Sequence, residues 1–137
     1  MTSDDDLLTA DPATYDWWRP TIDHVHLRVR DLAASRRFYG AVLRPLGIPL
    51  LLDAEHLVQF GHLALSADKA PTTGAHVAFP AADRAAVDAF HAAGLAIGAT
   101  DNGGPGVREA YAPVWYAAYL LDPDGTNIEA VAHEPPA

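Results

Sequence analysis

The sequence predicts an α+β fold built from two βαβββ units that share a concave mixed sheet. Three observations predict it. Ile22 to Val29 alternates strictly between apolar and polar residues and is followed by a helical period. The same order of elements then occurs a second time. The two stretches also match residue by residue at a fixed shift, the signature of an internal repeat.

In Ile22-Asp-His-Val-His-Leu-Arg-Val29, Val25, Leu27 and Val29 share one face, and His24, His26 and Arg28 share the other. Asp31 offers an N-cap to a helix carrying Leu32, Ser35, Phe38, Tyr39, Val42 and Leu43 at helical spacing. Gly47 and Pro49 end that helix. Leu50 to Leu52, Leu57 to Phe60 and Leu63 to Ser66 read as three short strands.

The second unit opens with the strand Ala75 to Phe79. Asp83 caps a helix with Ala86, Val87 and Phe90 inward, and Gly94 is expected to close it. Leu95 to Ala99 reads as a strand. Asn102-Gly-Gly-Pro-Gly106 reads as a flexible loop, either a plain connector or a lid. Val114 to Leu121 and Thr126 to Ala132 form a hairpin about Asp122-Pro-Asp-Gly125. Pairing with i + j = 247 places Glu129 opposite Ala118, with Tyr116 diagonal to it on the same face.

At a shift of 52 (76 − 24), His24 falls on His76, Val25 on Val77, Asp31 on Asp83, Phe38 on Phe90 and Leu43 on Leu95. The last strands match at a shift of 65 (128 − 63), which sets Glu129 on Ala64. The second unit thus carries about 13 extra residues around the glycine-rich stretch. Residues 1–20 form an N-terminal extension and 21–134 the domain, with units at about 21–68 and 74–133. Trp17 and Trp18 are expected to pack on the body or on a partner subunit, because exposed indoles are costly.

The chain has 137 residues, half of them hydrophobic, enough for one domain with a real core. Nine basic residues against 18 acidic ones give a net charge of −9, which repels nucleic acid and anionic membranes. No apolar run approaches the roughly 20 residues of a membrane span. The acidic start has no apolar core of a signal peptide, so a cytoplasmic location is expected. With no cysteine, any metal must be held by His, Asp, Glu, backbone or water.

Two repeat-equivalent strands each present a histidine, His24 and His76. The last strand presents one acid, Glu129, between Ile128 and Ala130. If the two units pair their sheets, these three converge as two imidazoles and a carboxylate. Such a set leaves coordination positions open for substrate and water. Singly, each is an ordinary strand or surface residue; together they form a candidate site for a divalent metal such as Zn, Mn, Fe, Ni or Co.

The segment Ile22 to Tyr39, with Tyr119-Leu-Leu-Asp-Pro-Asp-Gly-Thr-Asn-Ile-Glu129, resembles the two signatures of the vicinal-oxygen-chelate (VOC, glyoxalase-like) superfamily. That superfamily holds glyoxalases, extradiol dioxygenases, fosfomycin-resistance enzymes and bleomycin-binding proteins. The resemblance covers about Thr21 to His133. It implies metal ligands at His24, His76 and Glu129, a homodimer, and a small polar substrate. The place of the fourth ligand of glyoxalase I enzymes holds Ala64, so the chain resembles the three-ligand members more closely. The resemblance implies an enzyme in which the metal acts as a Lewis acid and stabilises an enolate or oxyanion. Alternatives are an Fe(II) dioxygenase of the extradiol type and a metal-free, drug-binding resistance protein.

Two residues are candidate catalytic groups. His26 shares the face of His24 and is placed to orient substrate or move a proton, or simply to line the cup. Tyr116 offers a hydroxyl near Glu129, or an ordinary core aromatic. His62 is a further candidate at the site. His56 and His91 read as surface residues, and His133 as a solvated strand end.

Overall fold

The structure is a computed structural model that describes residues 7–109 and 115–133. Its first unit runs β1 (Val25–Arg28), α1 (Leu32–Leu43), a 3-10 turn (Arg44–Leu46), β2 (Leu50–Asp53), β3 (Val58–Phe60) and β4 (Leu63–Ser66). The second runs β5 (His76–Pro80), α2 (Arg84–Ala96), β6 (Thr100–Val107), β7 (Tyr116–Leu121) and β8 (Asn127–Ala132). The expected strand, helix and three strands therefore occur twice. Each unit forms a four-stranded mixed sheet, in the orders β1-β4-β3-β2 and β5-β8-β7-β6. The pairs β1/β4 and β5/β8 are parallel; the others are antiparallel.

Both helices start as the sequence dictates. Asp31 accepts from Ala34 N at 3.1 Å and Asp83 from Ala86 N at 2.8 Å, each satisfying an orphan amide of the first turn. The repeat is also visible in the registers. His26 faces Ala64 across β1/β4, and Ala78 faces Glu129 across β5/β8. These positions differ by 52 and 65, the two shifts found in the sequence.

The units are joined through their helices and one turn. A single apolar core takes Phe38, Val42 and Leu43 from α1, Val87 and Phe90 from α2, and Leu63, Leu65, Leu120 and Ile128 from the sheets. Buried Tyr39 of α1 donates its hydroxyl to Asp122 Oδ2 at 2.6 Å, in the β7–β8 turn. The Arg30 amide donates to Asp124 Oδ1 at 3.1 Å in the same turn. No strand of one sheet is hydrogen-bonded to a strand of the other among the described residues.

Three local expectations are corrected. Gly94 lies inside α2 rather than at its end, and Leu95–Ala96 continue the helix instead of starting a strand. A Cβ at Gly94 would sit 2.3 Å from Leu120 Cδ1, so the glycine is there for close packing. Gly98, at φ 81, makes the turn. The glycine-rich stretch is neither connector nor lid; it is the edge strand β6, paired with β7 through two irregularities of register. Gly103, at φ 145, absorbs one of them, and Pro105 is tolerated at a sheet edge. Finally, β7 and β8 pair with i + j = 248, not 247: Tyr119 faces Glu129 and Ala118 faces Ala130. Val114, expected in the hairpin, lies outside the described residues.

Candidate metal centre

The second sheet has two unlike faces. Ala118, Leu120, Ile128 and Ala130 are fully buried in the core shared with the helices. Residues Ala117, Tyr119, Glu129 and Val131 point the other way, as the period of two requires. Glu129 sits there with its side chain only 4% exposed. A carboxylate so deeply buried is costly without partners, and both its oxygens have one. His76 Nε2 lies 2.8 Å from Oε1, and Trp115 Nε1 donates to Oε2 at 3.3 Å. The imidazole of His76 is half exposed, so one edge of the pair is open to solvent. Tyr119, opposite Glu129, has its ring 6.1 Å from His76, under the guanidinium of Arg108 at 5.2 Å.

An aromatic cluster adjoins this pair. Trp17, from the N-terminal extension, stacks on His133 with centroids 4.5 Å apart and planes 14° apart. Trp115 meets the same imidazole edge-on at 4.5 Å. Trp17 thus packs on the body, as its exposure cost suggested. His133 is not a solvated strand end. It lies between two indoles, and burial pushes its imidazole below the ordinary histidine range despite the nearby Glu129.

The first sheet carries a polar array. His24 precedes β1, is 62% exposed, and pairs through Nδ1 with Asp23 Oδ1 at 2.7 Å. That bond holds the Asp23 carboxyl below its usual range. His26 Nε2 lies 2.6 Å from Ser66 Oγ, and Ser66 donates to Asp68 Oδ1, which Arg28 Nε also approaches at 3.3 Å. Because Ser66 spends its proton on Asp68, it accepts from His26, which fixes the proton on Nε2 and leaves Nδ1 as the acceptor. Burial, and then Arg28, push the His26 imidazole below its ordinary range. His62 donates through Nδ1 to the Asp23 carbonyl, so it holds the entry to β1.

The chain therefore brings His76 and Glu129 together. His24 does not join them: no group of three His, Asp or Glu side chains able to hold a metal occurs among the described residues. Tyr116 also stays apart. The one-residue change of register turns it to the helix face, where its hydroxyl donates to Asp88 Oδ1 at 2.6 Å beneath Arg84. The carboxylate of Asp88 raises the Tyr116 phenol above its ordinary range. His91 is buried rather than at the surface, bonded to Asp101 Oδ1 at 2.9 Å, while His56 is exposed as expected. Sequence reasoning missed Trp115, Ser66 and Asp68. The parity of Ser66 with Ala64 on β4 was the available signal for Ser66; Trp115 fell inside the expected strand 114–121, but the expected register turned it to the face away from Glu129.

Comparison with known proteins agrees with this architecture. The family profile described as the Glyoxalase/Bleomycin resistance protein/Dioxygenase superfamily matches residues 21–130. A solved glyoxalase/bleomycin resistance protein from Albidiferax ferrireducens is 34% identical, with a TM-score of 0.74, and the match covers 82% of this chain and 98% of that one. A lactoylglutathione lyase from Agrobacterium tumefaciens is 24% identical with a TM-score of 0.59, covering 82% and 93%. A glyoxalase/bleomycin resistance protein/dioxygenase family enzyme from Burkholderia phytofirmans is 22% identical with a TM-score of 0.62, covering 81% and 97%. No curated protein matches the chain. No helix among the described residues is long and apolar enough to cross a membrane. With its two βαβββ units and this match over most of its length, the chain belongs to the Glyoxalase/Bleomycin resistance protein/Dioxygenase superfamily.

Proposed function

We propose that the protein is a metal-dependent enzyme acting on a small polar molecule, with a site assembled from two copies of the chain. His76 and Glu129 of one copy and His24 of a second would hold a divalent ion. The observation that carries this reading is the pair itself: an imidazole nitrogen and a carboxylate oxygen 2.8 Å apart, half open to solvent. Two ligands each about 2.0–2.2 Å from one ion stand about 3 Å apart when they are adjacent. The separation of the two sheets within the chain, and the exposure of His24, support a third donor from a second copy.

A bound ion would act as a Lewis acid on two neighbouring oxygens and stabilise an enolate or oxyanion. His26, two residues from His24, would accept a substrate proton at Nδ1 while Ser66 holds its Nε2–H. The same ligand set would serve Fe(II) in a ring-cleaving dioxygenase. A metal-free binding protein is the second reading, favoured by the fact that His76 and Trp115 already satisfy Glu129.

Thermal melting against Zn, Mn, Fe, Ni and Co salts tests the proposal. A metal that binds only the folded state at 100 times its Kd adds about 2.7 kcal/mol. The melting temperature should rise for at least one ion, and Glu129→Gln and His24→Ala should each remove the rise. No ion-dependent rise in the unmodified protein would overturn the metal reading.

A further inference from the structure

We infer that the ligand of the Glu129 site carries a flat aromatic group that takes the place of Trp17 on His133. This rests on reading the face around Glu129 as the ligand site. Trp115 links the two features, since its indole N–H reaches Glu129 while its ring packs against His133. A ring seated on His133 therefore lies beside whatever group meets Glu129 and His76.

Trp17 occupies that seat on a detachable support. Among the described residues, the hydrogen bonds of residues 7–20 close within the extension. Trp17 Nε1 donates to the Pro12 carbonyl, Thr14 N to Asp11, and Arg19 N to Asp16. The extension meets the body through the ring contacts of Trp17 with His133 and Trp115, at 4.5 and 5.7 Å. Trp17 itself is 40% exposed. A competing ring must replace one parallel stack and one edge contact with these two residues. Beneath the stack, His133 Nδ1 is buried with no hydrogen-bond partner among the described residues. A buried imidazole nitrogen without a partner is costly, and a ligand whose polar substituent extends past the stacked ring into the plane of the imidazole would satisfy it. The ligand class is thus a small molecule with a planar aromatic end on His133 and a polar end at His76 and Glu129. The N-terminal extension competes with it.

The test uses 3-methylindole, the side chain of Trp17 as a free molecule, titrated calorimetrically into the full chain in the presence of EDTA. Cyclohexanol is the non-planar control. Trp17→Ala should bind 3-methylindole about 3- to 10-fold more tightly than the unmodified protein, the worth of one aromatic pair. His133→Leu in the Trp17→Ala background should lose that gain. Equal or weaker binding by Trp17→Ala overturns the inference, as does no binding to any variant or equal binding of cyclohexanol. If the double variant does not fold, the comparison of Trp17→Ala with the unmodified protein decides alone. Because metal is absent throughout, failure here leaves the metal reading standing, and failure of the metal titration leaves this result untouched.

Discussion

His76 Nε2 and Glu129 Oε1 lie 2.8 Å apart on adjacent parallel strands, the one half exposed and the other almost wholly buried. The pair is preassembled by register. Ala78 faces Glu129, so His76 stands one pleat away on the same side of the sheet and reaches across diagonally. His76→Ala would leave a buried carboxylate oxygen short of its donor. A lost charged hydrogen bond costs about 1–3 kcal/mol, and solvent around the half-exposed imidazole brings this to about 1 kcal/mol. Urea unfolding without metal should show that loss. Unchanged stability would mean that water replaces the imidazole at no cost.

Assembly across two copies makes a sharper prediction. Light scattering should give about 29 kDa, twice the chain mass of 14.6 kDa. Exposed Leu51, Ile22 and Trp18 are apolar surface that such pairing would cover. If His24 serves the site of the other copy, His24→Ala and Glu129→Gln each disable both sites of a homodimer. Unfolded, mixed and refolded together, the two variants form heterodimers in which one site carries both lesions and the other carries none. Each heterodimer should then bind about one ion, which is about one ion per two dimers in an equimolar mixture, half of which is heterodimer. No recovery would show that the ligands belong to one copy or that His24 is not a ligand.

Much of this was legible in the sequence because periodicity and capping are local. The alternation at 22–29, the caps Asp31 and Asp83 and the repeat shifts all survive in the structure, although β1 is confined to Val25–Arg28. What failed depended on contacts made at a distance. Leu95 aligned with Leu43, a helical residue, yet its apolar neighbours read as a strand; helix α2 continues there because Gly94 lets Leu120 in. Tyr116 was assigned to the wrong face by a single residue of register, which the Asp122–Gly125 turn fixes through Asp122 Oδ1. That oxygen accepts from the amides of Asp124 and Thr126 at 2.9 Å each. His133 looked solvated because nothing local announces Trp17, more than a hundred residues earlier in the chain.

The turn also ties the units together, and Tyr39→Phe should expose how firmly. The substitution keeps the ring in the core and removes only the hydroxyl, leaving Asp122 Oδ2 without its donor. Asp122 is 5% exposed, so water cannot readily replace that donor. The expected loss is about 1–3 kcal/mol, read by urea or thermal unfolding. Asp122 still anchors its own turn through Oδ1, so the β7–β8 hairpin should persist and the change should leave the His76–Glu129 pair intact. A loss below about 0.5 kcal/mol would mean that the two units are held by apolar packing alone.

Gly94→Ala separates helix propensity from packing. In an open helix the change favours folding by about 0.8–1.0 kcal/mol. Gly94 is buried on the inner side of α2, and an added Cβ would stand 2.3 Å from Leu120 Cδ1 and 3.1 Å from Cδ2. Leu120 is fully buried and paired with Ile128 in the middle of the second sheet, so it can retreat only by displacing its neighbours. Overpacking of this kind costs about 1–3 kcal/mol, which exceeds the propensity gain over most of that range. The variant should therefore be destabilised, by up to about 2 kcal/mol. The double variant Gly94→Ala with Leu120→Ala tests the cause. It should recover part of the loss that the two single changes sum to, because the methyl group fills space that Leu120 has vacated. Additive losses would place the cost elsewhere than in the contact between α2 and β7. A stabilised Gly94→Ala would show that this contact relaxes freely.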